Sequence, residues 1–421
     1  MLAIRHAKMM ADARWPGNGI VAVTAVGALA LAILGGGARA VAEPQDRPAA
    51  PTSTYWAYVG AESADTLHRI RFGPDGTIVE KTIRIGELPN EMEGPHGLAI
   101  SADGRHLYMT TGHGLPDGKL WKYELPSDTL VGEGLSLGRF PASLDVTSDG
   151  LYSFSVNFNL HGDMVPSTVS VVYTPEQIEV ARIVTCTMPH GSRIDPGGTR
   201  QYSTCMMDDQ LVEIDTIAFE VSRRFSVAQG EEGPLAAAAV DPHDGHVMPG
   251  ARPAAAAPVV DPAEVGYGDA RHEMTPASCS PTWAQPSADG RRIFVACNKA
   301  DEILEIDREA WTLVRRLPTG RGVYNLAVTP DGRLLVATLK QGHMFEVFDL
   351  ANGRSLARLE TSTTLAHGVA VSPDSRYAFV SSEGKGAEPG KVDVFDLRAL
   401  ARVGTVDVGQ QASGIAFWKM Q

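Results

Sequence analysis

The sequence predicts an all-β protein, a seven-bladed β-propeller closed by its own two ends. Three observations carry this. A phrase of the form x-x-Asp-Gly, or a near variant, precedes a β-rich run six times. The phrases recur with the spacing of four-stranded blades. The two ends of the chain each lack what the other supplies.

The phrases are SADGRHLYM (101–109), TSDGLYSFSV (147–156), DPGGTRQYSTC (195–205), SADGRRIFVAC (287–297), TPDGRLLVA (329–337) and SPDSRYAFV (372–380). Their start-to-start spacings are 46, 48, 92, 42 and 43 residues. Asp-Gly supplies a turn, and the aromatic and branched residues after it favour a strand. A period of about 40–50 residues with four strands per repeat is a propeller signature. A third strand follows each phrase: KLWKYEL (119–125), TVSVVYT (168–174), QLVEID (210–215), EILEID (302–307), FEVFDL (345–350) and KVDVFDL (391–397).

The C-terminal ASGIAFWKM (412–420) matches an inner strand with nothing after it. Residues 55–85 read as three strands with no inner one. Together they complete a seventh blade and hide edges that an open ring would expose.

Two stretches stand apart from the repeat. Residues 1–42 combine Arg5, Lys8 and Arg14 with the apolar IVAVTAVGALALAIL (20–34) and Ala40-Val41-Ala42, the pattern of a signal peptide. An uncleaved N-terminal anchor is the alternative, and either way the protein is expected in the periplasm or secreted. Residues 43–54 are Pro-rich and read as a flexible leader. The 92-residue gap contains Ala/Pro-rich 229–274, read as an inserted loop because scattered proline blocks ladder formation. A degenerate eighth blade is the competing reading.

The net charge of −13 disfavours nucleic acid as a partner. No later apolar run is long enough to span a membrane. The expected partner is a small ligand or an exported protein, and a monomer is expected. There is no Cys-x-x-Cys-His for covalent haem and no phosphate-binding glycine loop for a nucleotide.

The repeat phrases resemble the YVTN-type propeller repeats of exported bacterial proteins, the YncE-like group, over about residues 55–420. That resemblance implies the fold and leaves the activity open. Pro95-His96-Gly97, Pro189-His190-Gly191 and Ala366-His367-Gly368 are similar to His-bearing segments of the nitrous oxide reductase propeller, which bind a copper cluster. Most of that protein's matching histidines are absent here.

Aligning the seven inner strands gives a column: His96, Ala142, His190, Thr282, Tyr324, His367 and Ala412. Equivalent residues of a propeller ring one mouth of the channel, so three histidines converge there. Imidazole ligates copper, zinc and iron. Polar residues also collect at a water-filled mouth without any metal. A second column, at the end of the second strand, reads Thr111, Asn157, Cys205, Cys297, Leu339, Ser382 and Gly60. The metal candidates are therefore His96, His190, His367, Cys205 and Met207, with copper the expected ion because thiolate and thioether suit Cu(I). His96, His190, Thr282, Tyr324 and His367 are the ligand-binding candidates. His243, His246, Met248, His272 and Met274 add weaker donors in the inserted loop.

The cysteines have a competing use. Cys186 with Cys205 and Cys279 with Cys297 flank successive inner hairpins at spacings of 19 and 18 residues, and these pairs are the first choice for disulfides. Cys205 with Cys279, or free thiols at a metal site, are the alternatives. No carboxylate among Asp208, Asp209, Glu91, Glu93 and Glu383 is paired by the sequence, so no catalytic residue is assigned. Three functions stay open: a binding propeller, a copper-binding or copper-dependent redox propeller, and a lactonase-like hydrolase.

Overall fold

The computed structural model describes residues 50–87, 91–113, 118–160, 162–236 and 276–421. Seven antiparallel sheets of four or five strands form the ring. Blade 1 contains Tyr55–Ala61, Thr66–Gly73 and Gly76–Arg84, with Ala412–Met420 innermost. Blades 2 to 7 begin with the inner strands Pro95–Ile100, Pro141–Val146, Pro189–Ile194, Pro281–Pro286, Val323–Val328 and Ala366–Val371.

The chain ends pair as predicted. Tyr55 lies opposite Met420 and Ala61 opposite Ala412. The ladder runs one residue further than expected: Thr54 and Gln421 exchange backbone hydrogen bonds at 2.7 and 2.9 Å. Thr54, placed in the leader by the sequence reading, thus belongs to the blade. The expected signal peptide, 1–42, lies outside the described residues. No helix among the described residues is long and apolar enough to cross a membrane.

The repeated phrase is a hydrogen-bonded device. The Ser101 hydroxyl donates to Asp103 Oδ1 at 2.7 Å, and the same oxygen accepts the Arg105 N–H. Ser101 Oγ accepts the His106 N–H. Gly104 takes φ +68°, which costs glycine nothing. Thr147 and Asp149, Ser287 and Asp289, Thr329 and Asp331, and Ser372 and Asp374 repeat the hydroxyl–carboxylate bond. In blade 4 Asp195 stands at the Ser/Thr position and itself accepts the Thr199 and Arg200 N–H groups.

The core lies between blades. Tyr55 and Phe72 of blade 1 meet Tyr377 edge-on, each with ring centroids 5.0 Å away, and Phe379 of blade 7 joins them. Each such ring, fully buried, contributes about 2 kcal/mol through the hydrophobic effect.

Of the inserted loop, Gly233–Leu235 forms a short strand on Glu220–Ser226, where the sequence reading saw no strand. The described residues make seven blades and no eighth. His243, His246, Met248, His272 and Met274 lie outside the described residues.

Candidate functional site

The inner strands all start with the same backbone turn. The residue two before each column position has positive φ: Gly94, Phe140, Met188, Ser280, Gly322, Leu365 and Gln411. A bulge then separates the first ladder pair from the rest of the strand, as between Pro95 and Leu98. In this register the blade 1 member of the column is Ser413, not Ala412, because Ala412 opposite Ala61 matches Pro95 opposite Thr111. The second-column member is likewise Ala61, not Gly60.

Several column side chains bond the backbone of the next blade. His96 Nδ1 donates to the Ala142 carbonyl at 2.5 Å, and His190 Nδ1 to the Thr282 carbonyl at 2.9 Å. Thr282 Oγ1 donates to the Tyr324 carbonyl at 2.8 Å, so Thr282 braces the ring and offers its carbonyl, not its hydroxyl, to the histidine. His367 Nδ1 faces the Ser413 carbonyl but makes no hydrogen bond of ordinary geometry, although it is buried. Glycine follows these histidines for a steric reason: a methyl group on Gly191 would collide with the Thr282 carbonyl.

With Nδ1 directed at the neighbouring blade, Nε2 is left for the channel. The histidines come from non-adjacent blades, yet they meet because Ala142 and Ser413 between them are small. The ring centroids of His96 lie 5.3 Å from those of His367 and 6.1 Å from those of His190. Tyr324 lies 4.8 Å from His367 and donates its hydroxyl to His190 Nε2 at 3.0 Å.

A further ring of residues was not aligned by sequence reasoning, which named Glu383 only as an unpaired carboxylate. It stands one residue beyond the second column: Glu62, Gly112, Phe158, Met206, Asn298, Lys340 and Glu383. Alternation along a strand explains the offset, since the last strand residues turn into the blades and the next ones turn to the mouth. Applying that alternation to the register would have found Glu62 and Lys340. Glu62 Oε1 lies 3.6 Å from His96 Nε2, and Oε2 lies 3.5 Å from His113 Nε2. Gln411 Nε2 donates to Glu62 at 3.0 Å. Lys340 Nζ pairs with Glu383 Oε1 at 2.6 Å and sits 4.4 Å above the Tyr324 ring. His367 Nε2 is 3.8 Å from the same Glu383 oxygen.

The electrostatics follow from burial and these partners. Burial drives the His190 imidazole down to about 3, with repulsion from His96 adding to it. A neutral His190 is what the hydrogen bond from Tyr324 requires. Burial, then Lys340, hold His367 well below the ordinary histidine value. Burial opposes ionisation of Glu62, but His96 and His113 outweigh it and keep the carboxyl below its usual range. Burial likewise opposes the Lys340 charge, and its ion pair with Glu383 outweighs it. Burial raises the Tyr324 phenol, which keeps its proton.

Glu62, His96 and His367 offer three buried ligand atoms within 4.8 Å of one another. Two expected ligands are placed differently. Cys205 is bonded to Cys186 and Cys279 to Cys297, so among the described residues no thiolate is free. Cys186 lies on the outer strand Ile178–Thr187 of blade 3, so its disulfide to Cys205 joins blade 3 to blade 4 instead of closing one hairpin. Met206, not Met207, packs on Phe140, Ala142 and Phe158 together with Met188. Of the carboxylates left unassigned by the sequence, Asp209 caps the N–H groups of Ser278, Cys279 and Ser280, and only Glu383 reaches the mouth cluster.

A second concavity, a cleft of about 870 Å³, lies on blades 4 and 5 and is lined by Arg200, Glu213, Arg223, Arg292 and Asp307 among others. Its arginines are tied to carboxylates: Arg223 pairs with Glu213 at 2.5 Å and Arg200 with Asp215 at 2.8 Å. The convergent histidines are all at the channel mouth.

Fold and site together define a closed seven-bladed propeller with a ring of ionisable side chains at one mouth. The chain matches no protein-family model and no curated protein sequence. Solved structures do match. One is Kuenenia stuttgartiensis hydrazine synthase, at 17% identity over 79% of this chain and 92% of that one, with a TM-score of 0.56. Another is a periplasmic gluconolactonase of Pseudomonas aeruginosa, at 16% identity over 87% and 99%, with a TM-score of 0.59. A third is a functionally unknown protein of Desulfotomaculum acetoxidans, at 15% identity over 86% and 98%, with a TM-score of 0.60. At such identities the likeness is one of fold.

Proposed function

We propose that the channel mouth binds a divalent first-row metal ion through Glu62, His96 and His367, and that this exported propeller uses the ion to hold and activate a small ligand. The observation that carries this is the convergence of three buried donors from three blades within 4.8 Å. In a tetrahedral site with bonds of about 2.0 Å, ligand atoms stand about 3.3 Å apart, so binding draws the three side chains inward. His96 is prepared for ligation: its Nδ1–H is held by a carbonyl, the outer-shell arrangement that orients metal-bound imidazole.

Two imidazoles and a carboxylate suit zinc, iron(II) or copper(II). Cu(I) is disfavoured because the expected thiolate is a disulfide sulfur. The two disulfides fit an oxidising compartment, and the YVTN-type repeat supports export in the same direction.

The mouth also supports a hydrolytic reading, in line with the fold it shares with a gluconolactonase. A bound ion would supply Lewis acidity and an activated water. Lys340 would stabilise negative charge developing on a carbonyl oxygen, and Glu383 would hold Lys340 in place. His190, kept neutral by burial, would hold the Tyr324 hydroxyl in place.

Metal analysis of protein purified from the periplasm, followed by calorimetric titration of the stripped protein with Zn²⁺, Cu²⁺ and Fe²⁺, tests the proposal. One ion per chain, lost in a Glu62→Gln/His96→Ala/His367→Ala variant that melts normally, is the expected result. Equal binding by that variant, or no binding by the parent, overturns it.

A further inference from the structure

The mouth is chemically two-sided. Blades 6, 7, 1 and 2 contribute Tyr324, Lys340, His367, Glu383, Glu62, His96 and His113. Blades 3 and 4 contribute an apolar wall of Phe140, Ala142 and Phe158, with Met188 and Met206 packed against it. The two sides touch: Phe140 stands edge-on to His96 and His113 at 5.3 and 5.0 Å, and Phe158 to His190 at 4.8 Å.

We infer that the ligand of this mouth is amphipathic, with an oxygen-bearing head for the metal side and a flat aryl or short alkyl body for blades 3 and 4. The inference rests on the metal reading for the head alone. For the body it rests on two other observations. The first is packing. Phe140 at φ +50° and Met188 at φ +53° occupy the left-handed turn position of blades 3 and 4, which Gly94 and Gly322 occupy in blades 2 and 6 and Ser280, Leu365 and Gln411 in blades 5, 7 and 1. The turn thus tolerates many residues at a cost that glycine avoids. What sets blades 3 and 4 apart is that the side chains at this position pack with Ala142, Phe158 and Met206 into one apolar cluster.

The second observation is exposure. Phe158 leads into the connection to the third strand of blade 3, and there Leu160, Met164 and Val165 are exposed at 37%, 53% and 40%. Met188 and Met206 are only partly buried, and unbranched thioether chains give way to an incoming ring. A ligand lying along this track keeps its body on the methionines and its head within reach of Glu62, His367 and Lys340.

The experiment compares two hydroxamates that differ only in the body. Zinc-loaded protein is titrated with acetohydroxamate and with benzohydroxamate, and the same titrations are run on Met206→Ser and Phe158→Leu. Benzohydroxamate should bind the parent about tenfold or more tighter, as expected for burying a phenyl ring. The gap should close in both variants while acetohydroxamate affinity stays within about twofold. Equal affinities in the parent, or no binding of either probe to protein that holds zinc, overturn the inference. If the protein takes up no zinc, the metal reading fails on its own and benzoate against acetate on zinc-free protein decides the body. Benzoate binding that is lost in Met206→Ser upholds the apolar wall with Lys340 as the head contact. Benzoate as weak as acetate overturns the wall as well.

Discussion

The two halves of the channel mouth are held by different physics. On the apolar half, Phe140, Phe158, Met188 and Met206 are fixed by packing, and both disulfides lie in or beside the adjoining blades, at Cys186–Cys205 and Cys279–Cys297. On the polar half no disulfide joins the blades. Position comes from Glu62 with His96 and His113, from Lys340 with Glu383, and from imidazoles anchored on neighbouring carbonyls. The apolar half shields His190 from water and so keeps it neutral. The polar half keeps Glu62 ionised despite burial. The difference shows how one ring of equivalent positions yields both an apolar wall and a charged face.

The largest expected effect breaks the polar half. Glu62→Gln keeps the shape and the acceptor for Gln411 but removes the charge. Zinc affinity should fall about a thousandfold, close to 4 kcal/mol, since each ligand carries a large share of a metal site's binding energy. Phe158→Leu, on the other half, should leave zinc affinity within about threefold. Calorimetry of both variants reads the contrast directly.

Breaking the apolar half affects stability instead. Phe158→Ala removes a buried ring and should cost about 3 kcal/mol in denaturant unfolding. Unchanged unfolding would mean that the wall is not packed as described.

Acid separates the halves in a third way. His190 has an ordinary value of 6.5 and stands at about 3 in the folded state. The unfolded chain therefore binds more protons between those values, and stability falls as pH drops from 6.5 toward 3 and is complete above 6.5. In metal-free protein, His190→Gln should lose about 3 kcal/mol less than the parent between pH 6.5 and 4. Parallel pH profiles would contradict a buried neutral His190. The smallest effect is Tyr324→Phe, which removes the donor to His190 and should cost about 1 kcal/mol with little change in zinc affinity.

What the sequence disclosed depended on how local the chemistry was. The Ser/Thr-x-Asp-Gly turn is complete within six residues, so each copy was legible and with it the ring. The histidine column was legible because each histidine follows a fixed distance before that turn. The blade 1 member was misplaced by one residue, since the closing strand has no turn after it to set the register. Glu62 and Lys340 were hidden by strand alternation, since they lie just past the column that was read, and Glu383 was named without being placed beside the histidines. Cys186 was assigned to the wrong blade because a left-handed Met188, invisible in sequence, separates the outer strand of blade 3 from the inner strand of blade 4.

The central claim is that three blades share one ion at this mouth. A crystal of the protein soaked in zinc, with anomalous scattering measured on both sides of the zinc absorption edge, tests it most directly. The account predicts a single strong peak about 2.0–2.2 Å from Glu62 Oε1, His96 Nε2 and His367 Nε2, with a fourth position open toward Met206 and Phe158. No peak at the mouth, or a peak held by other residues, would contradict it.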